Sequence, residues 1–322
     1  MIGSYTVIPE PSARWASRSA LSAAGLVVIT LILHRLFSFP TPVALNMFVV
    51  AFAGAGLAIL LGVFAVARIW TKGRSGAWAA ATGIIFGGLV LLWPLAHLST
   101  FRSLPRINDI TTDWVSPPRF VQLARARGDG ANRLAYPGEA FARQQIAAYP
   151  DIRPLVVDRS VEEIYDVVLE TMRGRRGMGW KVLAEDPPTL RPAKPGVIEA
   201  SERTLVLGFT DDIVVRISGD DKNARIDVRS VSRFGQHDLG ANASRVRRFT
   251  RELQTRLETF SPFGVAGRGG VRGSRAMQSG AGQAVPRRPQ ERSSAPVGSQ
   301  SKRDPAPTDT RRAPPPIEKP RG

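Results

Sequence analysis

The sequence predicts a three-helix transmembrane bundle, then an α+β domain with a mainly antiparallel sheet and a C-terminal helix, then a disordered C-terminal tail. Three observations carry this: three apolar stretches in the first hundred residues, alternating apolar and polar residues between 151 and 260, and a last segment rich in proline and arginine. The implied domains are a membrane domain over 1–104, a connector over 105–150, the α+β domain over 151–260 and a basic tail over 261–322.

The membrane helices are expected at about 20–38, 43–67 and 77–98. A bilayer core takes about 20 apolar residues in helical form, because an unpaired backbone N–H or C=O in hydrocarbon costs several kcal/mol. The second and third stretches meet that length and the first is shorter. Arg14 and Arg18 before a short apolar run could mark a signal peptide. That run, however, ends in His34 and Arg35, then Pro40 and Pro42, without a small-x-small cleavage site, so an uncleaved first helix is the better reading. Pro42 suits the first turn of the second helix, and Trp70 and Trp78 suit the headgroup level.

Orientation follows from the Lys/Arg bias. Arg14, Arg18, Arg68, Lys72 and Arg74 fall on one side of a three-helix bundle, and Arg35, Arg102 and Arg106 on the other. The N-terminus is therefore expected in the cytoplasm and the soluble domain outside, in the periplasm of a Gram-negative cell, with the bundle in the inner membrane. Gly54, Ala58 and Gly62, and Gly83 with Gly87, form small-residue stripes that let helix backbones approach. Packing of the second and third helices within one chain is the favoured use, and oligomeric state stays open. His34 and His97 sit at helix ends, where hydration is expected. No Asp, Glu or Lys occurs inside an apolar run, so nothing suggests a transport path.

In the soluble part, 152–157 reads as a strand, and Ser160 with Glu163 forms a capping box. The helix it opens carries Val161, Ile164, Tyr165, Val168 and Met172 on one stripe. Further strands are expected at 180–184, 196–200, 204–209, 212–218 and 225–232, with a Gly/Asp-rich hairpin turn at 219–223. Ile213, Val215 and Ile217 fall on one face and Val214 and Arg216 on the other, giving a core face and a polar face. A closing helix over 239–260 starts at Asp238, a capping residue. It buries Val246, Phe249, Leu253, Leu257 and Phe260, and Arg245, Arg247, Arg248, Arg251 and Arg256 are expected outward. Helix-grip lipid-binding domains share this pattern, and by that analogy an apolar ligand lies between sheet and helix; such analogy warrants fold more than function.

Several stretches are also familiar as sequence. Asn108-Asp109-Ile110-Thr111-Thr112-Asp113, Tyr149-Pro150-Asp151-Ile152-Arg153-Pro154, Asp211-Asp212-Ile213-Val214-Val215-Arg216, Asp227-Val228-Arg229-Ser230-Val231-Ser232-Arg233 and Asp238-Leu239-Gly240-Ala241-Asn242 resemble the bacterial family known as domain of unknown function 1499. The resemblance covers roughly residues 105–258. It implies an N-terminal membrane bundle joined to this domain, as in several members, and it implies no reaction, ligand or catalytic residues.

Polar residues cluster around the last two strands and the helix start. One reading pairs Arg216 with Asp227 and Arg229 with Asp212 across neighbouring strands, each pair contributing roughly 0.2–1 kcal/mol. A sharper reading gathers Arg216, Arg229, Arg233, Asp238 and Asn242 as a polar or anion-binding cluster, since guanidinium forks and free helix N–H groups both favour carboxylate or phosphate. For hydrolysis, His237 beside Asp238 with Ser230 or Ser232 is the one available set, and chain neighbours rarely form a triad. Asp211 and Asp212 alternate to opposite faces of a strand, which argues against a shared metal. The glycine-rich stretch 173–179 lacks the strand-before, helix-after setting of a phosphate loop and reads as a helix terminator. No catalytic, cofactor or metal set is therefore expected.

Charge narrows the partners. The net charge of +17 divides into +5 over 1–100, +4 over 101–260 and +8 over 261–322. The folded part is thus near balance, which argues against nucleic acid despite the basic total. Cysteine is absent, which excludes disulfides and thiolate chemistry. With ten prolines and one aromatic residue, the tail cannot offset its chain entropy. It is expected to act as a solvated spacer, or to touch anionic lipid or an anionic envelope polymer. A membrane-anchored binding module of the cell envelope is the first reading of function, and an envelope enzyme acting on an anionic or lipidic substrate the second.

Overall fold

A computed structural model describes residues 8–174, 177–204 and 206–259. The tail over 261–322, Phe260, and Arg175 and Arg176 of the glycine-rich stretch lie outside the described residues.

Helices α1 (Pro11–Leu36), α2 (Thr41–Lys72) and α3 (Ala77–Ala96), the last continued by α4 (Leu98–Ser103), are long and apolar enough to cross a membrane. This is a membrane protein. Helix α1 starts well before Ala20, because Pro11 suits a first helical position and the Glu10 carboxylate accepts from Ser12 N (3.5 Å) and Ser12 Oγ (2.7 Å). Glu10 is buried and clasps the far end of α2 and the loop after it, through Arg68 at 3.3 Å and Arg74 at 2.9 Å. The small-residue stripe on α3 packs inside the chain, against both other helices: a Cβ on Gly83 would lie 2.6 Å from Ala16 Cβ, and one on Gly87 2.9 Å from Ala55 O.

Beyond the bundle the chain forms β1 (Asp109–Thr111), α5 (Gln122–Ala126), α6 (Glu139–Ala148), β2 (Leu155–Val157), α7 (Val161–Arg173) and β3 (Lys181–Asp186). A small hairpin of β4 (Thr189–Leu190) and β5 (Ala193–Lys194) follows, then β6 (Gly196–Arg203), β7 (Thr210–Gly219), β8 (Ala224–Ser232) and α8 (Ala241–Thr259). The antiparallel sheet runs β1-β8-β7-β6-β3, with β2 also on β8, so β8 pairs with three strands and β7 lies in the middle. Its core face packs under α7 and α8, where Ile164, Met172, Ile213, Ile217, Phe249 and Leu253 are fully buried. Trp180 stacks on Phe249, ring centroids 5.4 Å apart. Ser160 caps α7 by accepting from Glu163 N at 3.2 Å. The space between sheet and α8 that a helix-grip analogy reserves for an apolar ligand is occupied by these side chains.

Four expectations change. The stretch 105–150 is more than a connector: it gives strand β1 to the sheet, and residues 112–136 then strap across the sheet's second face, where Phe120 and Leu123 pack on Val214 and Val231. Within the expected strand at 204–209, of which Leu205 lies outside the described residues, 206 and 207 form a turn between β6 and β7, and Gly208 has φ 73° where a strand would need extended backbone. Arg245 is 4% exposed and points into the domain, because Asp211 and Glu202 wait for it there. His34 is buried rather than hydrated, since the β6–β7 turn docks on the bend between α1 and α2. There His34 Nδ1–H donates to Leu207 O (2.7 Å), Arg35 donates to Thr204 O (2.9 Å), and Arg203 donates to His34 O (2.6 Å).

Candidate functional site

Strand alternation decides which polar side chains meet. In β8, residues 226 and 228 face the core, so Asp227, Arg229 and Val231 face the strap; in β7 the same rule sends Asp212, Val214 and Arg216 there. Under the strap, Arg229 forks onto Asp109 (2.9 and 2.6 Å) and donates to Pro118 O (3.0 Å) and Leu134 O (2.8 Å). Its guanidinium lies between the Phe120 and Tyr136 rings, 5.5 and 5.6 Å from their centroids. Burial, reinforced by nearby Asp109, pushes the Tyr136 hydroxyl up to about 12.

Asp212 receives Arg127 (2.7 Å) and a fork from Arg233 (2.7 Å at the nearest). Arg216 bridges Asp227 (2.8 Å) and Asp113 (2.9 Å). Glu199 accepts Val121 N (2.6 Å), Gln122 N (3.2 Å) and Leu123 N (2.7 Å), supplying the start of α5 with an acceptor and a negative charge. Of the two cross-strand pairs expected, Arg216–Asp227 forms. Arg229 goes to Asp109 instead of Asp212, because the unforeseen β1 brings Asp109 beside it.

On the other side of the sheet, Arg245 donates to Asp211 (2.6 Å), Asn242 Oδ1 (2.6 Å) and Ser230 Oγ (3.0 Å) and pairs with Glu202. Asn242 Nδ2 reaches Ser232 Oγ at 2.9 Å. Asp238 accepts Gly240 N (2.8 Å) and Asn242 N (2.9 Å), the capping role expected of it; burial pushes its carboxyl above the usual range. The five residues of the sharper reading thus do not surround one point. Arg216, Arg229 and Arg233 face the strap with carboxylate partners, while Asp238 and Asn242 serve the start of α8.

Open space lies at the end of the sheet nearest the bundle. A groove of about 1260 Å³ runs between the β6–β7 turn, the loop before α8, and Leu45 and Trp93 of α2 and α3. Arg233 and Asp238 border it, and so do three residues the sequence reading left aside: Lys181, Arg203 and Phe209. Lys181 has no side-chain partner among the described residues, and Arg203 meets only carbonyls, Gly208 O (3.0 Å) and His34 O (2.6 Å). His237 also borders the groove; its Nδ1 accepts Leu239 N (2.9 Å), its ring stacks on Phe101 (4.7 Å), and its buried Nε2 has no partner among the described residues. The glycine in the expected strand, Gly208, was the one local sign that the chain turns at 206 and 207 and so helps shape this groove. A smaller space of about 610 Å³ lies between the strap and the edge of β3. Among the described residues, no three His, Asp or Glu side chains converge as metal ligands.

Residues 109–253 match the family described as protein of unknown function (DUF1499). This region of the chain is similar to DUF1499. No curated protein and no solved structure matches this chain. The matched region begins at Asp109, so the DUF1499-like domain includes β1 and the strap, and its first residue is the partner of its most buried guanidinium. Leu45 and Trp93, the bundle wall of the groove, lie outside the match.

Proposed function

We propose that this chain is an inner-membrane protein of the cell envelope whose bundle holds the DUF1499-like domain on the periplasmic side as a binding module, with the junction groove as its site. The observation that carries this reading is the contrast in side-chain commitment. The acidic and basic groups of the sheet face are spent on one another, while the groove is bordered by Lys181 and Arg203, which have no carboxylate partner among the described residues. Ligand sites are commonly concave, apolar in the main and fitted with a few polar groups, and this groove has that character.

The periplasmic side rests on the Lys/Arg asymmetry of the flanks. The pairing of Arg68 and Arg74 with Glu10 leaves that argument standing, because acidic residues count little in the bias. An alkaline phosphatase fused after Thr259 should be active and a cytoplasmic reporter at the same place silent; the reverse pattern overturns the orientation. Mass spectrometry of small molecules and lipids copurifying with the full chain should find a bound species, and an empty groove in repeated preparations counts against the binding module. The basic tail would add contacts with anionic lipid or an envelope polymer.

One observation favours the second reading, an enzyme acting on an anionic or lipidic substrate. His237, whose buried Nε2 has no partner among the described residues, borders the groove beside Asp238, whose carboxyl is raised by burial. With Nδ1 accepting from the backbone, neutral His237 carries its proton on Nε2, as a proton donor would. Turnover of a copurifying molecule that His237→Gln abolishes would establish this reading over the first.

A further inference from the structure

We infer that the junction groove takes the head of an anionic glycerophospholipid from the adjoining leaflet, with Lys181 and Arg203 meeting its phosphate. This rests on the groove being a binding site and names what it binds. The groove walls come from two kinds of surface. Leu45 lies one turn into α2 and Trp93 in the last turn of α3, so this wall sits where a spanning helix leaves hydrocarbon, the level indole side chains favour. The facing wall, from the DUF1499-like domain, offers Leu207, Phe209 and Leu239. A molecule lodged there has apolar contact on both sides and lies within reach of lipid.

Charge then selects the head. Among the acidic residues bordering the groove, Glu202 and Asp211 are matched by Arg245 and Arg248 together, and Asp238 is occupied by backbone N–H groups. Arg233 and Arg248 are held by Asp212 and Glu202. The remainder is positive: Lys181, and Arg203, whose Nε and one Nη are fixed on carbonyls while the second Nη has no partner among the described residues. Guanidinium and ammonium groups are the usual ligands of phosphate oxygens. A lipid with a net negative head matches this excess, and a zwitterionic one brings its own cation into it.

The test uses the full chain in neutral detergent, given equal amounts of phosphatidylglycerol and phosphatidylcholine, with bound lipid counted by native mass spectrometry. Phosphatidylglycerol should dominate, and Lys181→Gln should lower its occupancy about five-fold, the worth of one basic residue near an anionic surface. Since Lys181 has no partner to lose among the described residues, that variant keeps its fold; an unchanged melting temperature verifies it. Arg119→Gln, at the smaller space beyond the strap, should leave the preference unchanged, which separates the groove from general basicity. Equal binding of the two lipids, or a preference that Lys181→Gln does not move, overturns the inference. Soluble glycerol phosphate is the third arm. If it displaces the lipid at matched concentration, the head alone is recognised and the lipid assignment fails while the binding module stands; if nothing binds in any arm, both fail.

Discussion

The two polar regions of the DUF1499-like domain are built on opposite rules. Under the strap, Asp109, Asp212 and Asp227 each meet at least one guanidinium and Glu199 takes three backbone N–H groups, all out of water. At the junction with the bundle, Lys181 and Arg203 border a groove, and neither has a carboxylate partner among the described residues. Charges removed from water are costly unless matched, so the first region is a structural joint whose value depends on completeness. The second keeps its charges hydrated and can afford to leave them unmatched. Polar density alone is therefore a poor guide to function in this molecule; what separates the regions is whether the charges are already answered.

The sharpest way to break that contrast is Asp109→Ala, which leaves Arg229 charged and 2% exposed with no carboxylate. A loss of about 3–5 kcal/mol is expected, read as a fall in the denaturant midpoint of the detergent-solubilised chain, because removing one partner of a buried pair strands the other. A loss under 1 kcal/mol would show that the joint is not what holds the strap. Glu199→Ala comes next. Three N–H groups at the start of α5 lose their acceptor, and a cost of about 2 kcal/mol is expected, with faster amide exchange confined to 112–136.

At the junction, His34→Ala removes the donor to Leu207 O and should cost about 1 kcal/mol, visible as exchange at 206–209 while β8 stays protected. Lys181→Gln should change stability by less than about 0.5 kcal/mol, since the side chain is exposed and unpartnered among the described residues. The smallest effect concerns pH. Burial works against the Glu202 carboxylate, yet Arg245 and Arg248 hold it below its ordinary 4.5. A depressed carboxyl contributes stability above its unfolded value and loses it as pH falls through the folded one, so this contribution should fade below pH 4.5 and be absent from the pH profile of Glu202→Gln.

Legibility in the sequence followed the same divide. Spanning length, the alternation of β7 and β8 and the stripes of α7 and α8 are local patterns, and each was readable because neighbours in the chain share one environment. Strand β1 was not: it is three residues long and buried along its whole length, so Asp109 and Thr111 show no alternation. The strap was obscure for a related reason, since it rests on little more than Phe120 and Leu123 and otherwise reads as polar, proline-broken chain. Arg245 adjoins Val246 at the margin of the α8 stripe, and what draws it inward, Asp211 and Glu202, comes from strands more than thirty residues earlier. The candidate cluster was half legible for that cause. Its members are polar and near one another along the chain, but their partners, Asp109 above all, sit on a segment whose place in the sheet no local signal announces.

Strand β1 also sets how far the domain can stray. From Ser103, where α4 ends, only five residues precede Asp109, which is already stitched to β8. Even fully stretched, that interval reaches about 20 Å. The domain is bolted to the deck rather than let out on a leash, so whatever it handles must come to the bilayer to be handled.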